Sequence, residues 1–137
     1  MNELQSNTKK CNEVIQTATN NAIKCSCGKS EGLSHKICKF WLANYCWEHN
    51  LSFATEVVFT NNQRADFLIK EWAVAIEVLS SEKYSDFIKK TYPIKTIPIS
   101  AKFMSPEDIT KLMRDLHNTN GKEADYYIKN YKAVFEE

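Results

Sequence analysis

Residues 51–79 read LSFATEVVF (51–59), TNNQ (60–63), RADFLIK (64–70), E (71) and WAVAIEVL (72–79). The three long runs are rich in β-branched and aromatic residues. They are separated by turn chemistry at Asn61-Asn62-Gln63 and by the polar pair Lys70-Glu71, which predicts three antiparallel strands in a meander. Two acids stand against this grain. Glu77 interrupts Trp72-Ala73-Val74-Ala75-Ile76 and Val78-Leu79, a run apolar on both faces as in a central strand. An ionised carboxylate there is costly unless a cation or hydrogen-bond donors meet it. Asp66 sits similarly, between Ala65 and Phe67-Leu68-Ile69. If Lys70-Glu71 form a two-residue turn, Ile69 pairs with Trp72 and Asp66 with Ala75. Glu77 then lies one diagonal step from Asp66 on the same face, with Cα atoms about 7–8 Å apart. Glu56 is a third acid whose direction depends on the first loop. A three-residue loop at Asn61–Gln63 puts it opposite Leu68 on the Asp66 face, and a two-residue loop turns it away. Two carboxylates against a dry wall suit a hard divalent cation, Mg²⁺, Mn²⁺ or Ca²⁺, rather than zinc.

Upstream, Ile37, Cys38, Phe40, Trp41, Leu42, Tyr45 and Cys46 give residues 33–49 a wide apolar band, which predicts a largely buried central helix. Val14, Ile15, Ala18, Ala22 and Ile23 recur at helical spacing, so a helix is expected over 6–23 with Ser6 or Thr8 as its cap. The Gly- and Ser-containing stretch 24–32 reads as a loop. Downstream, a helix is expected over 82–91, ended by Pro93. A short strand follows over 94–100, whose Pro98 argues for an edge. Ser105-Pro106-Glu107-Asp108 is a strong helix start for 105–117, and Gly121 separates a last helix over 122–135. The expected fold is a single α/β domain spanning 1–137, with a core over about 31–100, one mixed sheet, an extra N-terminal helix and two C-terminal helices.

The chain has 137 residues and a formal net charge of +1, so no whole-molecule field is available to hold a polyanion. The charge is nevertheless unevenly spread. Residues 83–102 hold five lysines against Asp86 alone, whereas residues 106–137 hold seven acids against five bases. No run approaches the ~18 apolar residues of a membrane span, and the polar first thirty residues lack a secretory h-region, which makes the cytoplasm the expected address. Five cysteines, an odd number, read as reduced thiols or metal ligands. Cys25, Cys27, His35 and Cys38 could be assembled into a zinc site, but the C-x-C spacing is tighter than the usual knuckle and argues against it. No nucleophile elbow, phosphate-binding glycine loop or dinucleotide fingerprint is present.

Glu31, His35 and Lys39 on the central helix, then Glu56, the Arg64-Ala65-Asp66 triplet, Glu77-Val78, Ser81, Lys90 and Tyr92, resemble the layout of the PD-(D/E)XK nuclease superfamily. The nearest motif layout is that of competence-protein CoiA-like nucleases. The resemblance implies a restriction-endonuclease-like αβββαβ core and a nuclease that hydrolyses nucleic acid, with DNA favoured over RNA as the expected substrate, using Mg²⁺ or Mn²⁺. It implies that Asp66 and Glu77 hold the metal with the Val78 carbonyl, and that Glu31, Glu56 and His35 are accessory. It also implies action as a homodimer. The departure is at Leu79, two residues after Glu77, where the family pattern has Lys or Gln. Lys39, Lys83 and Lys90 are the lysines that could reach in instead, and Lys39, Lys83, Lys89, Lys90 and Arg64 are the expected nucleic-acid contacts. The competing reading is a non-catalytic nucleic-acid-binding or assembly module that keeps the fold and has lost the motif lysine. A metal-free interaction protein with structural ion pairs at Asp66 and Glu77 is a third.

Overall fold

A computed structural model describes residues 2–23, 32–79, 84–101 and 105–130. In chain order its elements are α1 (Glu3–Val14), β1 (Ile15–Asn20), α2 (Leu33–Glu48), β2 (Phe53–Phe59), β3 (Arg64–Ile69), β4 (Val74–Leu79), α3 (Tyr84–Phe87), β5 (Lys95–Ser100), α4 (Pro106–Asn118) and α5 (Ala124–Lys129). The strands form one five-stranded sheet in the order β1-β2-β3-β4-β5. The first four are antiparallel neighbours, and β5 runs parallel to β4. The expected mixed sheet and α/β class are present, and Pro98 lies on an edge strand, as expected. Among the described residues no helix is long and apolar enough to cross a membrane.

Two apolar clusters lie on either side of the sheet. One joins Phe53, Phe67, Ile69, Val74 and Ile76 to Leu42 and Cys46 of α2 and to the buried stripe of α4. The other joins Ala54, Leu68 and Ala75 to Cys11 of α1. The alternation along β2 changes phase at Glu56, because Phe53 belongs to the first cluster whereas Val57 and Phe59 belong to the second. Glu56 has φ +48°, and the β1–β2 pairing shifts register around its neighbours. This is a β-bulge, which bends the strand and re-aims a side chain.

Several expectations are corrected. The helix expected over 6–23 ends at Val14, and Ile15–Asn20 is instead an edge strand against β2. Ile15, Thr17 and Thr19 are β-branched and weak in helices, and the open edge of β2 gives them ladder partners. The cap of α1 is Asn2, in a capping box with Gln5, rather than Ser6 or Thr8. The turn after β3 is not Lys70-Glu71 alone. It spans 70–73, with Ala73 at φ +52° and its N–H donating to the Lys70 carbonyl at 3.1 Å. Trp72 leaves the strand to pack beneath Gly121, where a Cβ would come within 2.7 Å of the Trp72 Cβ and φ is +86°. Glu71 accepts the Ser52 N–H at 2.8 and 2.9 Å through its two oxygens, which ties this turn to the start of β2.

The helix expected over 82–91 is helical over Tyr84–Phe87, with a turn following it, and residues 80–83 lie outside the described residues. Ile88, just after it, is exposed. Only one face of α2 is buried, since Leu33, Ile37, Phe40 and Trp47 are exposed. Helix α4 starts as expected, with Ser105 accepting the Asp108 N–H and Pro106 in the first turn. The last helix is described over Ala124–Lys129, and residues 131–137 of the expected 122–135 span lie outside the described residues.

Candidate active site

Phe67 pairs with Ile76, and one further step along the two strands brings Asp66 opposite Glu77. The longer turn shifts the register by two residues from the expected one. A shift of two preserves the face on which each side chain lies, so the acids still meet, and directly rather than on a diagonal. The loop after β2 is three residues, 60–62, closed by the Phe59 N–H to the Gln63 carbonyl at 2.8 Å. It begins one residue earlier than expected. Thr55 pairs with Phe67 and Val57 with Ala65, so the bulged Glu56 falls beside Asp66 rather than opposite Leu68.

Helix α2 lays its first half over these strands. His35 Nε2 is 3.0 Å from Asp66 Oδ1. One turn on, Lys39 Nζ is 2.6 Å from Glu56 Oε1 and 4.0 Å from Asp66 Oδ1. Lys39 is completely buried, 0% exposed, although Glu56 keeps about a third of its side-chain surface. The other oxygen of Asp66 accepts the Val78 N–H at 2.7 Å. Tyr92 OH donates to Glu77 Oε2 at 3.2 Å, and Lys90 Nζ lies 3.9 Å from the same oxygen.

Burial alone would raise the Asp66 pKa. Hydrogen bonds from His35 and Glu77, the His35 charge and the Val78 N–H outweigh it, and the carboxyl is held at about 2. Asp66 is therefore an anion at neutral pH despite its surroundings. Asp66 and Glu77 thus have the chemistry of a hard-cation pair, with two carboxylates on neighbouring strands and the other coordination positions left for water and substrate oxygen. Among the described residues no group of three or more His, Cys, Asp or Glu side chains is arranged to hold a metal ion.

Of the sequence candidates, His35, Lys39, Glu56, Asp66, Glu77, Val78 and Lys90 come together. Val78 enters through its N–H. Lys39, expected as a surface contact to nucleic acid, is interior and paired with acids. Lys90 is drawn to Glu77, whereas Arg64 and Lys89 are exposed. Leu79 is 3% exposed and belongs to the first apolar cluster. Glu31, Ser81, Lys83, Cys25 and Cys27 lie outside the described residues. Tyr92 was not among the residues given a role from sequence. Its signal is its place in the resemblance, two residues after Lys90.

No family model matches the chain, and neither a curated protein nor a solved structure matches it.

Proposed function

We propose that the chain is a divalent-metal-dependent nuclease with the PD-(D/E)XK layout, hydrolysing phosphodiester bonds of DNA. The observation that carries this reading is the pairing of Asp66 and Glu77 on adjacent strands beside a fully buried lysine, Lys39, 4.0 Å from Asp66. The order α2, β2, β3, β4, α3, β5, with three antiparallel strands and one parallel, is consistent with a restriction-endonuclease-like αβββαβ core. A cytoplasmic address and action as a homodimer belong to the same proposal.

Asp66 and Glu77 would hold Mg²⁺ or Mn²⁺, with the Val78 carbonyl as a further donor. Such an ion polarises a phosphodiester oxygen and lowers the pKa of a coordinated water. The protein groups supply the rest. Tyr92 and Lys90 orient Glu77 through Oε2, and the Val78 N–H fixes Asp66 through Oδ2. Lys39 takes the place of the lysine absent at Leu79. Its ammonium, buried at 2.6 Å from Glu56 and 4.0 Å from Asp66, would be a fixed positive charge behind the acidic pair, and a fixed charge in a dry site acts without reorganisation. Glu56 positions Lys39. His35, 3.0 Å from Asp66 Oδ1, would be the group at the site able to hold or move a proton. Arg64 and Lys89, both exposed, are suited to flanking phosphates.

One observation favours a second reading. Leu79 is packed in the core, so the motif position is apolar, as in a nucleic-acid-binding module of this layout that has lost catalysis. Cleavage of single- and double-stranded DNA and of RNA with Mn²⁺ or Mg²⁺ decides between them. Asp66→Ala and Glu77→Ala are each expected to lower the rate by at least about 100-fold. Equal cleavage by the wild type and both variants would remove the enzyme reading. Salt-sensitive binding with no cleavage would establish the second.

A further inference from the structure

The second half of α2 packs on α4 and leaves a cleft of about 460 Å³ between them, within the size range of small-molecule sites. Its wall is aromatic. Trp41 and Tyr45 lie one turn apart on α2, and His49 at the end of that helix stacks on Tyr45 with ring centroids 4.1 Å apart. His117, in the last turn of α4, meets the edge of His49 at 5.3 Å. Its ring is fixed from two sides: Nδ1 is 3.0 Å from the Tyr45 hydroxyl, and Trp72 lies 5.6 Å away, centroid to centroid.

The polar groups of the cleft are arranged around this wall. Arg114 lies one turn before His117 and is exposed. Asn118 follows His117, and Asn44 Nδ2 donates to Glu48 Oε1 at 3.3 Å, which holds the acid of the cleft to the α2 side. Burial raises the pKa of the Tyr45 phenol and the Arg114 charge opposes it, so the guanidinium field reaches the aromatic wall.

Flat π surfaces, one guanidinium and side-chain amides are the elements that recognise a base and its phosphate. Aromatic faces stack bases of any sequence, the guanidinium matches phosphate oxygens as a fork, and the amides of Asn44 and Asn118 can meet base edges. None of these residues belongs to the acidic site on β3 and β4. We infer that the α2–α4 cleft is a second ligand site for a nucleoside monophosphate unit, with Trp41 stacking the base and Arg114 holding the phosphate. The unit is either a free nucleotide or the 5′-phosphorylated end of a single strand. This inference stands whether or not the acidic site cleaves.

The test is calorimetric titration of the full chain in excess chelator with 5′-dAMP, a 5′-phosphorylated oligo-dA trinucleotide and inorganic phosphate. One-to-one binding of 5′-dAMP is expected. Arg114→Gln and Trp41→Ala should each weaken it by at least about tenfold, and Asp66→Asn should leave it unchanged. Circular dichroism of each variant confirms that it is folded, and because Arg114 is exposed, its substitution keeps the test decisive if Trp41→Ala does not fold. Tighter binding of the trinucleotide than of 5′-dAMP assigns the site to a strand end, and equal binding assigns it to a free nucleotide. The inference is overturned if 5′-dAMP does not bind at millimolar concentration, if Arg114→Gln binds it as the wild type does, or if inorganic phosphate binds equally well. It also fails if Asp66→Asn abolishes binding, which would move the ligand to the acidic site.

Discussion

The two halves of α2 do different electrostatic work. In the first half His35 and Lys39 are pressed onto the acids of β2 and β3, and the lysine has no exposed surface. In the second half Tyr45, His49 and Trp41 pack against α4 through rings and one hydrogen bond between side chains, beside open space. A buried charge depends on its partner, because the alternative is a bare ion in a dry interior. A ring contact at the edge of a cleft has water as its alternative. Substitutions in the first half should therefore be costly and coupled, and those in the second half local and mild.

The largest effect tests the direction of that dependence. Glu56→Met leaves the Lys39 ammonium fully buried with Asp66 Oδ1 4.0 Å away, and is expected to destabilise by about 3–5 kcal/mol. Lys39→Met removes the buried cation and leaves Glu56, a third exposed, to water, and should cost only about 1–2 kcal/mol. Urea unfolding of the two variants and of the double variant measures the asymmetry. A costlier Lys39→Met would mean that the acids, once left without the ammonium, carry the larger uncompensated cost of burial.

A smaller effect should appear on acidification. The Asp66 pKa is depressed to about 2, against about 3.9 in an unfolded chain. A depressed pKa adds stability above the unfolded value, and that stability is lost as pH falls through the folded value. Asp66 should thus contribute about 2 kcal/mol above pH ~4, lost between pH ~4 and pH ~2. Unfolding free energies over that range should fall more steeply for the wild type than for Asp66→Asn. Parallel curves would show that His35 and the Val78 N–H do not hold the anion.

The acids were legible in the sequence because their signal survives the errors made around them. Glu77 in an apolar strand and Asp66 in its neighbour stay on one face under any even shift of register, so the misjudged turn at 70–73 changed their spacing and not their meeting. Glu56 was ambiguous for a physical reason. Its direction is set by a bulge with positive φ, which alternation of side chains cannot anticipate. Lys39 was open to two readings, a nucleic-acid contact or a lysine reaching into the acidic site, because lysine is almost never fully buried and pattern alone does not place its ammonium. The strand at Ile15–Asn20 was hidden because its edge position depends on β2, forty residues downstream.

The smallest effect belongs to the second half of α2. Tyr45→Phe removes the hydroxyl that meets His117 Nδ1 at 3.0 Å and leaves the stacked ring in place. His117 is partly exposed, so water can take up the vacated bond, and the cost should be about 0.5–1 kcal/mol. The same substitution frees the His117 ring to turn, so 5′-dAMP affinity should change even though stability hardly does. If Tyr45→Phe cost as much as Glu56→Met, the hydroxyl would be a buried structural partner and the contrast between the two halves of the helix would not hold. A mild loss of stability with a clear change in binding is what a ring positioned for a ligand requires.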